Sequence, residues 1–350
     1  MFLALREIKR NKKHFGLITA VIALVGIMVF FLTGLAFGLN SFMTQAVTSL
    51  GADNIALAKN ANDVVQASII PTTDADKVEA DQVSEIGMGA LTIDKAEDEQ
   101  VTAFAFAMNP DSFTAPNITE GQMYSTSGEV VADDSLKNDG YKLGDTFKTT
   151  QSDLEFKIVG FTHNKTYSAS PVVYMELNDW RTTGVQYRDA VTAVATKGAV
   201  NDTTITDAKL KNQTEADFVA GIPGVSAQNI TFGLMIGALI IVSAVILGVF
   251  IYVLTLQKRH MFGVMKAQGI GNATIGWSVI WQTALLSIFG SIIAVLIVLG
   301  VSAFMPAAVP FTIPWLLFAA IGAVMVLFSL IGAIFSVISA TRIDPLIAIK

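Results

Sequence analysis

The side chains most able to do chemistry in this chain are paired carboxylates and three histidines, and their spacing organises very little of it. Asp74 with Asp76, and Asp133 with Asp134, bring carboxylates close together along the chain, as metal sites do. Neither pair runs on into the twelve-residue ladder of oxygen ligands that a calcium loop needs, so both are expected on solvated surface. His163 stands alone in the acidic middle of the sequence, while His14 and His260 lie beside basic residues. No Ser/His/Asp ordering for nucleophilic catalysis follows. No Gly-x-x-x-x-Gly-Lys-Ser/Thr run occurs, which excludes a P-loop in this chain. Cysteine is absent, removing disulfides, thiolate metal sites and a thiol nucleophile. These residues predict a protein that is not an enzyme, with no catalytic side chain, no intrinsic cofactor and no metal held by the protein alone.

The stretch with the clearest task is built for recognition. Residues 257–272 form a short basic segment between two long apolar runs. Inside it Met261, Val264, Met265 and Gln268 recur at helical spacing on one side, Lys258 and Lys266 lie elsewhere, and Gly269 and Gly271 stop the helix. Such an amphipathic turn can dock in a groove of a soluble partner.

The elements that carry this segment are set by composition. With 52% hydrophobic and 15% charged residues, the 350-residue chain reads as a membrane protein. Charge is divided unevenly: residues 44–228 hold 27 acidic and 13 basic side chains, a net of −14, and the rest holds 2 and 10, a net of +8. The fold class expected is therefore an α-helical membrane protein with four transmembrane helices and a large extracellular α+β domain inserted between the first and second spans. Residues 1–14 read as a basic amphipathic helix on the inner membrane face. Residues 15–43 form the first span and its stalk, retained rather than cleaved as a signal peptide. The outer domain covers residues 44–228, the second span 229–256, the inner segment 257–272, the third span 273–305, an outer turn 306–314, the fourth span 315–339 and a cytoplasmic tail 340–350. Basic flanks place both termini in the cytoplasm of a cell-membrane protein. Within the outer domain, alternation predicts strands over 100–108 and 155–161, Gly144-Asp145 predicts a turn feeding a strand, and helices are expected over 74–86 and 214–220.

No acidic or basic residue lies inside any span, which excludes a proton relay or a voltage sensor there. Gly34-x-x-x-Gly38 offers a close helix contact of the kind that dimerises spans. Phe304, Phe311 and Trp315 suit an interfacial aromatic belt around the outer turn.

Several runs carry a family likeness. Gln257-Lys258-Arg259 with Phe262-Gly263-Val264-Met265-Lys266-Ala267-Gln268-Gly269 resembles the segment by which FtsX/MacB-type ABC permeases touch their ATPase subunit. Gly128-Glu129-Val130-Val131-Ala132, Tyr141-Lys142-Leu143-Gly144-Asp145-Thr146-Phe147, Phe156-Lys157-Ile158-Val159-Gly160-Phe161 and Val172-Val173-Tyr174-Met175 follow the course of a MacB-like extracellular domain. The ending Arg342-Ile343-Asp344-Pro345-Leu346-Ile347-Ala348-Ile349 resembles the family's tail, with Ile347 where a Glu is usual. Phe250-Ile251-Tyr252-Val253-Leu254-Thr255-Leu256-Gln257-Lys258 and Thr166-Tyr167-Ser168-Ala169-Ser170-Pro171-Val172-Val173 are similar to permeases of Gram-positive haem exporters.

The resemblance implies a permease subunit of an ABC-type efflux pump that works by mechanical transmission. Its working unit is two copies of this chain in membrane lipid with two ABC ATPase subunits that bind ATP, and no nucleic acid is involved. ATPase coupling then falls to Met261, Phe262, Val264 and Met265 as apolar anchors, with Arg259 and Lys266 at the rim. Haem is the expected substrate, taken from the membrane. A flat apolar plate with an open axial position calls for aromatic walls and a Met, Tyr or His ligand. Met43 on the first span, Met235 on the second and Tyr167 or His163 in the outer domain are the candidate ligands, and Phe42 and Phe232 the candidate walls. Tyr252, nearer the inner end, is assigned to packing or to coupling. The rival readings are an exporter of lipid, peptide or antibiotic, a non-transporting regulator of a cell-wall hydrolase, and a membrane-anchored sensor.

Overall fold

The computed structural model describes residues 12–94, 100–257, 259–306 and 309–341. The expected inner-face helix over 1–14, apart from its last three residues, lies outside the described residues, as do Lys258 and the tail motif from Arg342 onward. The chain forms two compact units, one of residues Leu39–Asn229 and one of Met1–Gly38 with Ile230–Lys350.

A first helix, α1 (Lys12–Thr48), contributes to both units. The Leu39–Asn229 unit is rich in β-structure. Its strands are β1 (Asn54–Ala58), β2 (Ile70–Pro71), β3 (Ala80–Asp94), β4 (Gln100–Ala107), β5 (Glu120–Gly121), β6 (Glu129–Asp133), β7 (Thr146–Thr149), β8 (Ser152–Thr162), β9 (Thr166–Tyr167), β10 (Ser170–Met175), β11 (Ala190–Val191), β12 (Ala193–Val200) and β13 (Leu210–Thr214). The main sheet runs β13-β1-β12-β3-β4-β10-β6-β8-β5, with β7 bridging β3 and β8, β9 on β10, and β2 paired separately with β11. Four short helices decorate it: α2 (Thr72–Ala75), α3 (Leu177–Arg181), α4 (Asp202–Asp207) and α5 (Glu215–Gly221).

The sheet is buried on both faces, and strand β4 shows how the sequence arranges it. Phe104 and Phe106 join Ile86, Met88, Tyr167 and Tyr174 in one core, whereas Ala103, Ala105 and Ala107 join Leu91, Phe156, Phe161 and Trp180 in the other. Period two here sorts large side chains from small ones rather than apolar from polar. Trp180 fills the space the alanines leave and stacks on Tyr187 at 4.3 Å. A Cβ at Gly87 would sit 2.4 Å from the Trp180 ring, so glycine is required there.

One expectation is overturned. Residues 74–86 are helical only at their start, because β3 takes over from Ala80 and pairs with β12 on one side and β4 on the other. Tertiary pairing along both edges outweighs the helical spacing of that run. The helix expected over 214–220 forms as α5, with the Thr214 hydroxyl accepting from Asp217 N–H at 3.2 Å as its cap.

The second unit holds α6 (Val225–Gln257, from Ile230), α7 (Arg259–Ala267), α8 (Asn272–Ala303) and α9 (Trp315–Thr341), with α1 up to Gly38. α1, α6, α8 and α9 are each long and apolar enough to cross a membrane. Some of their hydroxyls bond within the helix itself: Thr33 Oγ1 donates to Val29 O at 2.7 Å and Thr255 Oγ1 to Ile251 O at 2.8 Å. Contacts between helices rest on small residues. Cα of Gly248 on α6 lies 2.8 Å from where a Cβ of Gly332 on α9 would stand, and Ala294 of α8 lies 2.8 Å from a Cβ at Gly26 of α1. Ser287 and Ser329 share a buried hydrogen bond of 2.6 Å between α8 and α9.

The Gly34-x-x-x-Gly38 face is occupied by this chain's own residues 310–312. A Cβ at Gly34 would fall 2.3 Å from the Phe311 ring, and one at Gly38 would fall 2.1 Å from the Pro310 carbonyl oxygen. Thr312 N–H donates to Gly34 O at 3.2 Å, and Phe311 lies 5.7 Å from Phe31 between ring centres. Phe311 therefore packs on the helical core, whereas Phe304 and Trp315 are exposed.

Candidate functional site

The basic segment between α6 and α8 folds as the short helix α7. Its end is fixed by local geometry: Ile270 N–H donates to Met265 O at 3.1 Å and Gly269 N–H to Lys266 O at 2.9 Å, with Gly269 at φ 84°. This is the paired hydrogen bonding of a Schellman stop, which needs a left-handed residue and so selects glycine. Ile270 and Met265 both pack on the small core that α7 shares with α8 and α9.

That core divides the expected anchors. Phe262 is turned inward, 6% exposed, against Ile275 and Val279 of α8. Met261 and Val264 are each 39% exposed, and Met265 is half-buried between the two groups. His260 and Gln268 are exposed along the same outer side, and Lys266 is half-buried. Phe262 thus roots the helix, while Met261 and Val264 present apolar surface beyond it. No feature of the sequence separated these two roles, because both kinds of residue are apolar and share one turn.

The residues named for haem fall on different units and are described separately. In the β-rich unit, Tyr167 is 1% exposed, wedged against Phe104 at 4.5 Å and Phe106 at 5.5 Å between ring centres. Burial pushes its phenol well above the usual tyrosine range. It is a core residue and does not hang free. Met43 and Phe42 are half-buried near the end of α1, where Met43 packs on the same core and Met43 O accepts from Ser168 N–H at 2.9 Å. In the helical unit, Met235 on α6 is 47% exposed and Phe232 half-buried. His163 is exposed, with Nδ1 2.6 Å from Asp134 Oδ2. Tyr252 is 42% exposed.

The acidic pairs differ: Asp76 is exposed, as expected, and Asp133 is not. Asp74 is engaged by Lys77 at 2.5 Å. Asp133, expected on the surface, is buried: Oδ1 accepts from Ser135 N–H at 3.0 Å and Oδ2 from Lys165 N–H at 2.5 Å. Asp179 does similar work, accepting from Ser127 Oγ at 2.5 Å and Gly128 N–H at 2.7 Å. Charge-assisted bonds to backbone N–H groups make a buried carboxylate tolerable.

Residues 233–345, which include α7, match the FtsX-like permease C-terminal family. Over its whole length the chain is similar to a protein of Staphylococcus haemolyticus named as the hemin transport system permease HrtB, with 26% identity covering 100% of this chain and 99% of that one. The protein of the same name in Staphylococcus epidermidis is 28% identical, again covering 100% and 99%. Among solved structures, the periplasmic region of MacB from Actinobacillus actinomycetemcomitans aligns with 51% of this chain and 96% of its own, at 12% identity and a TM-score of 0.37. Residues 233–345 thus form an FtsX-like permease C-terminal domain.

Proposed function

We propose that this chain is the permease subunit of an efflux pump that works by mechanical transmission and removes haem from the membrane. The observation that carries the substrate is the end-to-end similarity to two proteins named as hemin transport permeases. Two copies of the chain act with two ATPase subunits, the termini lie in the cytoplasm and the β-rich unit lies outside. The −14 against +8 division of charge supports that orientation. Nucleotide-driven closure of the ATPases moves α7. Met261 and Val264 are the anchors in contact with the partner, Met265 flanks them, and Arg259 and Lys266 supply positive charge. Phe262 passes the motion to α8 through its packing on Ile275 and Val279.

On the helical unit, exposed Met235 beside Phe232 is assigned to haem contact. A thioether is a competent axial ligand and an aromatic face suits the macrocycle. A strain lacking the gene is expected to become sensitive to haem and to recover with the wild-type chain. Purified wild-type protein is expected to shift the Soret band of added haem, with the shift lost in Met235→Ala. Unchanged haem tolerance in the deletion strain overturns haem as substrate and leaves lipid, peptide or antibiotic export, or hydrolase regulation, to be tested.

A further inference from the structure

We infer that the β-rich unit carries a binding groove for a small anionic amphiphile, a molecule with an apolar tail and a carboxylate or phosphate head. The groove has a volume of about 460 Å³ and lies where the end of β1, strand β2 and the start of β13 converge. Its volume falls within the usual range of small-molecule sites, roughly 300–1,000 Å³.

Its chemistry is two-sided. Ala58, Ile70 and Leu210 form a buried apolar floor, and Ile69 adds an apolar side chain that is 45% exposed. Lys59 and Lys209 line the same groove, both exposed. Among the described residues neither takes part in an ion pair, although neighbouring lysines do. Lys211 holds Asp63 at 2.6 Å and Lys77 holds Asp74 at 2.5 Å. The one carboxylate lining the groove, Asp74, is thus already neutralised, and the two uncompensated charges are positive. This is the reverse of the unit as a whole, which is strongly acidic. An apolar floor under two cations is complementary to an anion with a tail, and it rejects both cations and neutral sugars.

The groove is held in shape by backbone. Lys59 N–H donates to Lys209 O at 3.1 Å, tying β1 to the approach of β13. Lys209 itself sits at φ 57°, a left-handed conformation that costs a lysine energy and that glycine would adopt freely. Keeping a lysine at that position is explained by a use for its charge.

The test uses the full chain in nanodiscs of zwitterionic lipid and photoreactive analogues of decanoate, decyl phosphate and decanol, followed by mapping of the labelled peptides. Decanoate or decyl phosphate is expected to label segments 58–74 and 208–210, and decanol is expected to leave them unlabelled. The preferred head is the one that labels at lower concentration. Labelling is expected to fall about tenfold in Lys59→Gln/Lys209→Gln and to persist in Lys209→Arg. Lys209→Gly relieves the backbone while removing the charge, so a drop there in a protein of equal or higher Tm separates ligand loss from unfolding. Equal labelling by decanol, labelling unchanged in the Gln pair and in Lys209→Gly, or absence of label from both segments each overturns the assignment.

Discussion

The two units solve the packing problem in opposite ways. In the β-rich unit, cohesion comes from side-chain mass on both faces of one sheet: Trp180, Phe106, Phe156 and Phe161 are all fully buried. In the helical unit, close contact comes where side chains are missing, at Gly26, Gly38, Gly290 and Gly332. Its large apolar side chains are abundant on the outside, whereas the other unit exposes few, such as Ile69 and Val185. The difference follows from solvent. Water drives apolar mass inward at about 25 cal/mol per Å². A hydrocarbon environment offers no such gain, so helices associate by backbone proximity and a few shared hydroxyl bonds.

Truncation should therefore injure the first unit most. Trp180→Ala is expected to destabilise the β-rich unit by about 3–5 kcal/mol, seen as a lowered thermal transition of the purified protein. Its indole stacks on Tyr187 and covers Gly87, and none of those contacts is retained by a methyl group. A transition shifted by no more than that of a surface variant such as Val185→Ala would break the comparison.

Helix α7 combines both logics, since Phe262 is buried mass and Met261 and Val264 are exposed surface. Val264→Asp is expected to weaken ATPase capture by more than about 2 kcal/mol, or some thirtyfold, while the chain accumulates normally in the membrane. Phe262→Asp is expected to lose capture and accumulation together, because it places a charge among Ile275 and Val279. Equal behaviour of the two variants would remove the distinction between root and anchor.

Enlargement should injure the helical unit. Gly38→Val is expected to cost about 1–3 kcal/mol, read as reduced yield of folded protein in detergent, because the new Cβ meets the Pro310 carbonyl. Gly233→Val is the matched control, since nothing lies within 4 Å of a Cβ there. If Gly38 and Gly233 tolerate valine equally, the segment at Pro310 does not lean on α1 as described.

Much of this division is legible in the sequence, and where it is not, the cause is physical. Length, apolarity and the lack of charge reveal four long helices, since a hydrocarbon solvent constrains composition directly. Strands such as β4 show in the Phe/Ala alternation over residues 100–108. The start of β3 does not, because Ala80–Ile86 carries helical spacing and is made a strand by neighbours far along the chain. The Gly34-x-x-x-Gly38 pair announces a close contact without naming its occupant, which turns out to be Pro310 and Phe311. Tyr167 and Phe262 are aromatic in the sequence, and only the fold shows that both face inward. The lysine-lined groove was invisible, since Lys59, Ile69 and Lys209 are brought together by strands remote in sequence.

The smallest effect expected concerns electrostatics, which the β-rich unit uses and apolar spans exclude. Glu85 on β3 has its carboxyl held above the usual carboxylate range, first by burial, then by Asp76, with Arg181 at 3.8 Å opposing both. A carboxyl that binds its proton more tightly folded than unfolded costs stability once it must ionise. Below its ordinary value of 4.5, both states are protonated and nothing is lost. As pH rises past that value the unfolded chain releases its proton first, so the penalty grows and is complete above the raised folded value. Glu85→Gln is therefore expected to raise the thermal transition slightly at pH 7 and to leave it unchanged near pH 4. If the variant is instead less stable at pH 7, the distant Arg181 contact outweighs desolvation, and the pair belongs with the stabilising ion pairs of this unit.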